Sequence, residues 1–254
     1  MDQKPHLRLM LFPFGFLITS RANELDFEAF PFYGAWVREE CGEYQVVLHP
    51  DQKLYQLQRG DVWHFLVGHA YDPFLMLSDE KEILRELADG LDAGPAGHAE
   101  ALNRLTGVFA LGYVQGETVK VFGDAAGMQT VYYGHVEGRP YVVSHAALVG
   151  VLEGLVLSDY VRRLVSYRFY HLFGSALPGD LSPYSALRRL VPNHTLSVNG
   201  GGCDVRRFFP AAGTGVADPE VEYRTLVDCA TQVLSNSMAL VASSRITTEG
   251  FFKT

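Results

Sequence analysis

Residues Leu105–Leu148 read LTGVFALGYVQGETVKVFGDAAGMQTVYYGHVEGRPYVVSHAAL, and this stretch decides the fold class. Gly107 to Val114 and Val119 to Phe122 are rich in Val, Phe and Tyr and flank a Gln115-Gly116-Glu117 turn. Val131 to His135 and Tyr141 to Ser144 repeat the pattern around Glu137-Gly138-Arg139-Pro140. β-Branched and aromatic residues suit a pleated, half-buried surface, and Gly serves turns where φ must be positive. The spacing predicts two antiparallel hairpins in one half-buried sheet. Between them, Asp124 can accept bonds from nearby backbone N–H groups, and Gly127 supplies a left-handed corner.

The chain has 254 residues, 48% hydrophobic and 20% charged, enough for a substantial core and too apolar for disorder. A net charge of −8 argues against a nucleic-acid backbone as partner, which calls for a basic face. Cys41, Cys203 and Cys229 form an odd set without metal-ligand spacing, so reduced thiols and a cytoplasmic location are expected. No segment is apolar for long enough to span a bilayer, so no membrane partner is expected. Lys4 and Arg8, the apolar run Leu9 to Ile18 and then Ser20-Arg21-Ala22 outline a secretory leader. Pro13 and Gly15 interrupt that run, which also suits a buried first strand.

The opening stretch also carries a family resemblance. Leu105-x-Gly107-x-Phe109-Ala110, then Asp124-x-x-Gly127, Tyr132-Tyr133 and Ser144 resemble the class II glutamine amidotransferase domain of asparagine synthase-like proteins. Gly123, Thr130, Val143 and His145 depart from the family's Arg, Pro, Ala and Glu. The resemblance implies an α+β, four-layer αββα sandwich of the N-terminal-nucleophile hydrolase type. It also implies a cysteine at the mature N-terminus whose own amine activates its thiol. The matching segment here is Phe14-Gly15-Phe16, preceded by Met1 to Pro13, so Phe14 occupies the nucleophile's place and offers no lone pair. Only a register shift to Thr19 or Ser20 restores a hydroxyl.

Tyr44 to Leu48, Leu54 to Leu57 and Val62 to Gly68 read as further strands, separated by turns at His49-Pro50-Asp51-Gln52 and Arg59-Gly60-Asp61. In the family the corner that follows carries the Asn of an oxyanion hole and residues that hold glutamine. Val67 replaces that Asn and His69 a Glu, so a polar donor is missing. His64, His69 and Asp72 suggest a metal site, but His64 and His69 fall on opposite faces of one strand, and no metal is expected. Ser78 or Asp79 can cap a helix whose apolar stripe is Ile83, Leu84 and Leu87, ending at Gly90. The resemblance additionally gives Asp79 the glutamine α-amine. Val67, Gly68, His69, Ser78 and Asp79 are thus the expected vestigial ligand pocket. A second helix is expected over Ala99 to Leu105.

His145 to Leu152 and Asp159 to Phe173 are predicted helices. Leu187 to Leu196 resembles the family's L-x-P-G-H-x-L turn, with Asn193 in the Gly position, tolerable because Asn visits the left-handed region. Gly201-Gly202-Cys203-Asp204 imitates a pyrophosphate loop, but Val205 to Phe208 continue as strand, so a hairpin turn is expected. A Gly/Ala/Thr linker from Ala211 to Asp218 precedes a helix from Pro219 to about Ala242, with Leu226, Ala230, Val233, Leu234 and Val241 facing a core.

These readings give an amidotransferase-like domain over 1–210, then a linker, a helix and the truncated start of a synthase domain over 211–254. The expected function is a catalytically degenerate glutamine amidotransferase-like domain with a structural or interaction role. Its expected partner is an ATP-dependent, amide-forming synthetase domain or subunit, or a second copy through the C-terminal helix. ATP and Mg belong to that synthase domain, and no cofactor is expected in this chain. The alternatives are a working glutamine amidohydrolase using Ser20 or Cys41, and an amino-acid sensor built on the pocket around Gly68 and Asp79.

Overall fold

The structure, a computed structural model, describes residues 11–26, 31–173, 176–209 and 219–243. Twelve strands among them form two six-stranded antiparallel sheets. The first contains β1 (Phe16–Ser20), β2 (Val37–Cys41), β3 (Tyr44–Leu48), β8 (Tyr132–Val136), β9 (Arg139–Val143) and β10 (Leu187–Arg189), in the order β10-β8-β9-β1-β3-β2. The second contains β4 (Leu54–Arg59), β5 (Val62–Tyr71), β6 (Thr106–Gln115), β7 (Thr118–Gly123), β11 (His194–Asn199) and β12 (Gly202–Arg207), in the order β12-β11-β7-β6-β5-β4.

Period-two alternation builds the layers. Phe16 and Ile18 of β1 point between the sheets, where they meet Phe65 and Val67 of β5, Ala110 and Val114 of β6, and Val119 and Val121 of β7. Leu17 of β1 points the other way, toward a cluster with Leu148 and Val149 of helix α3 (Ala146–Leu152). On the far side, Leu66 of β5 and Leu111 of β6 pack on Ile83, Leu84 and Leu87 of α1 (Glu80–Asp92) and on Ala101 of α2 (Pro95–Asn103). The order of layers is therefore αββα, as expected.

The two hairpins of the opening stretch form as expected, with Val114 opposite Val119 and Gly134 opposite Tyr141. They do not share a sheet: β6 and β7 lie in the second, β8 and β9 in the first. The Asp124 corner is the crossover between them. Alternation along each strand is the same whether its partners share one sheet or two, so the pattern alone could not separate these cases. The turn His49 to Gln52 likewise carries the chain from the first sheet to the second.

Several helix boundaries differ from expectation. α1 runs to Asp92, past Gly90. α2 begins at Pro95, which fits a first helical position because proline lacks an N–H that would go unpaired there. The helix expected over Asp159 to Phe173 is broken into α4 (Asp159–Val165) and a 3-10 turn (Tyr170–Phe173). α5 (Pro219–Ser243) forms as expected, but its expected core face does not. Leu226 is 62% and Leu234 64% exposed, while Leu240 is buried and Asn236 Nδ2 donates to the Pro73 carbonyl at 2.7 Å. The apolar positions occupy more of the helix circumference than one buried stripe needs. The linker of Ala211 to Asp218 lies outside the described residues. Among those residues no helix is long and apolar enough to cross a membrane.

Candidate functional site

The space between the sheets opens at one end into a cavity of about 380 Å³. Its walls come from Phe14, just ahead of β1, from Gly68 and His69 of β5, from Val108 of β6, and from Ser144 and His145 after β9. The crossover adds Met128, Gln129 and Thr130, and Tyr132 and Gln52 complete it with Pro13.

Asp124 places the crossover. Its buried carboxylate accepts from the N–H groups of Ala126 (3.1 Å), Met128 (2.9 Å) and Gln129 (2.7 Å), and Gly127 turns the corner at φ +64°. One side chain thus holds the segment that supplies one wall. Close backbone approach shapes another. Gly68 has φ +99°, and a Cβ there would meet the Val108 carbonyl oxygen at 2.3 Å; Gly107 faces the His69 carbonyl in the same way. The glycine of the Leu105-x-Gly107-x-Phe109 motif is thereby explained, since a side chain would push β5 and β6 apart.

Phe14 stands at the rim, 58% exposed, in the left-handed region at φ +54°. Gln52 Nε2 donates to its carbonyl at 3.0 Å. His69 extends from β5 on the side of Phe65 and Val67. Its Nδ1 lies 2.9 Å from Oε1 of Glu80, the first residue of α1 and only 7% exposed. A carboxylate accepts, so Nδ1–H donates, and in the neutral ring the lone pair then lies on Nε2. On the opposite sheet, Ser144 Oγ accepts from the Phe16 N–H at 2.8 Å and lies 2.8 Å from His145 Nδ1. Its alternative acceptor, the Phe16 carbonyl, is farther at 3.3 Å. Burial, reinforced by nearby His49, lowers the His145 pKa and favours a neutral ring.

The expected pocket residues divide. Gly68 and His69 line the cavity. Val67 is fully buried in the inter-sheet core. Ser78 precedes the cap, and Asp79 is exposed, its Oδ1 accepting from Lys81 N (2.8 Å) and Glu82 N (3.2 Å). Cys41 lies in the inter-sheet core, where burial pushes its thiol up to about 12, and Ser20 is at the far end of β1. His64 faces the helix layer, near Tyr113, whereas His69 faces the cavity. Asp72 is held by Arg104 Nε at 2.8 Å. Among the described residues no group of three or more His, Cys, Asp or Glu could hold a metal ion.

Sequence reasoning missed Glu80 and the joining of Ser144 with His145 at the cavity wall. Glu80 is eleven positions from His69, a separation no local motif reads. The nearest signal is the departure at His145.

No family model matches the chain, and no curated protein matches it. Solved structures do resemble it. One is glutamine phosphoribosylpyrophosphate amidotransferase from B. subtilis complexed with ADP and GMP: 12% identical, TM-score 0.41, covering 78% of this chain and 43% of that one. Another, described as the allosteric regulatory enzyme of purine biosynthesis, is 13% identical with TM-score 0.42 and the same coverage. A glutamine aminotransferase class-II domain protein from Silicibacter pomeroyi is 14% identical with TM-score 0.38, over 77% of this chain and 92% of that one. The chain thus spans 43% of the length of each of the first two.

Proposed function

We propose that this chain is a catalytically degenerate class II glutamine amidotransferase-like domain, related to asparagine synthase-like proteins, with a structural or interaction role. One observation carries the reading: Phe14 stands at the cavity rim in the segment that resembles the family's N-terminal nucleophile. A phenyl ring cannot attack a carbonyl, and its backbone is embedded in the chain without a free amine. The αββα layering, the Gly107 approach, the Asp124 corner and the positive φ of Asn193 support the family assignment. The interaction role is supported by α5, which presents Tyr223, Leu226, Leu234 and Met238 to solvent. The partner that fits this reading is an ATP-dependent, amide-forming synthetase domain or subunit.

The contact between Ser144 Oγ and His145 Nδ1 favours a second reading, glutamine hydrolysis by a serine. Incubating the purified chain with glutamine and measuring ammonia tests both. The degenerate reading expects no release above buffer. Release that disappears in Ser144→Ala, with the thermal midpoint of the variant retained, establishes the second reading and overturns the first.

A further inference from the structure

We propose that the cavity binds an uncharged planar amide, with Phe14 as its stacking platform and His69 as its hydrogen-bond acceptor. The inference rests on the reading above in that it treats the cavity as a binding site and not as a glutaminase centre.

Charge comes first. No Asp, Glu, Lys or Arg is among the described residues lining the cavity. Glu80 lies behind His69 and is engaged by its Nδ1–H. A zwitterion such as glutamine would leave a carboxylate and an ammonium without opposite charges on these walls, and desolvating an unpaired ion costs far more than desolvating an amide. A carboxylate would in addition feel the like charge of Glu80.

Hydrogen-bond polarity is next. The Glu80 carboxylate takes the Nδ1 proton, so in the neutral His69 ring Nε2 is the acceptor. On the opposite wall the shorter Ser144 contact directs the hydroxyl proton to His145 Nδ1, which leaves Nε2–H of that ring as a donor. The cavity therefore offers one acceptor and one donor from rings held by their neighbours. An amide group matches both, through its N–H and its carbonyl.

Shape decides the rest. Phe14 holds a positive φ that is costly for a bulky residue, and its side chain is mostly exposed, so core burial does not offset the strain. What the conformation achieves is an aromatic face at the mouth of a cavity. Such a face favours flat partners in offset stacking. A volume of about 380 Å³ is at the small end for ligand sites and suits a single-ring compound.

The decisive probes are nicotinamide and nicotinate, which share a ring and differ in charge, with benzamide, uracil and glutamine alongside. Nicotinamide is expected to raise the thermal midpoint by about 4 °C at ten times its Kd, with nicotinate and glutamine producing no rise. Phe14→Ala is expected to weaken nicotinamide binding about tenfold in calorimetry, Phe14→Trp to retain it, and His69→Leu to abolish it. The midpoint of free Phe14→Ala should equal that of the parent, which separates lost binding from lost folding. Equal binding of nicotinate or glutamine, unaltered binding by Phe14→Ala, or no shift with any of the three neutral amides at about 10 mM overturns the proposal. Ammonia release from glutamine instead overturns the functional reading on which it rests.

Discussion

The two ends of the inter-sheet space are built from the same strands and finished differently. At one end Tyr44 fills the gap among Cys41, Val114, Val119 and Val198, and its hydroxyl donates to the carbonyls of Glu117 (2.8 Å) and, more weakly, Val198 (3.3 Å). At the other end His69, Ser144 and His145 face a cavity, and Phe14 stands at its rim. A large side chain with its polar atom satisfied closes a sandwich. Polar side chains tied to their own neighbours keep it open, because their hydrogen bonds do not need the space in front of them. The sealed histidines show the same contrast. His98 packs edge-on against Phe122 and Tyr113, and burial, then repulsion from Lys120 and His64, lowers its pKa to about 4.

The largest effect that would sharpen this contrast is Tyr44→Ala. It should cost about 4 kcal/mol in urea unfolding, by lost burial and the void left behind. Phe14→Ala, at the open end, should change stability by less than about 0.5 kcal/mol. Similar losses for the two would break the comparison.

Acid comes second. Because the folded chain favours neutral His98, the unfolded chain binds more protons once the pH drops below the ordinary value of 6.5. The stability from this group is therefore full above about pH 6.5 and falls as pH approaches about 4, by about 2 kcal/mol after allowance for solvent screening. His98→Phe keeps the ring packing and should remove that share of the acid loss in urea midpoints measured at neutral and acid pH. An unchanged acid loss in the variant would assign it elsewhere.

Smallest is Asp79→Ala, which removes the cap of α1 and should cost about 1 kcal/mol. Because Asp79 lies outside the cavity lining, the affinity for nicotinamide should not move; a matching fall in affinity would return Asp79 to the binding site.

Much of the architecture was legible where local chemistry determines it. The hairpin turns, the Asp79 cap, the left-handed Asn193 and the opposed faces of His64 and His69 follow from residue type and period. The division of strands between sheets was not, because β6-β7 and β8-β9 alternate alike and only tertiary packing parts them. The same limit applied to the cavity. Gly68 and His69 were expected from the family resemblance, whereas the meeting of Glu80, Gln52 and the Ser144–His145 pair around one cavity depends on segments far apart along the chain. α5 misled for a simpler reason: apolar residues at helical spacing state which faces can be buried, not whether anything covers them.

The central place of β1 in the first sheet bears on how the chain acquires its structure. β1 is flanked by β3 and by β9, and its Phe16 N–H is satisfied by Ser144, 128 residues later. In the second sheet β4 through β7 pair in chain order, with α1 and α2 between β5 and β6, so each strand's partner follows it closely along the chain. One flank of β1 must instead wait, with Phe16 and Leu17 unsheltered, until β9 has been made. β1 is therefore the vulnerable segment during biogenesis, and lesions that delay β9 should surface as aggregation before they surface as lost stability.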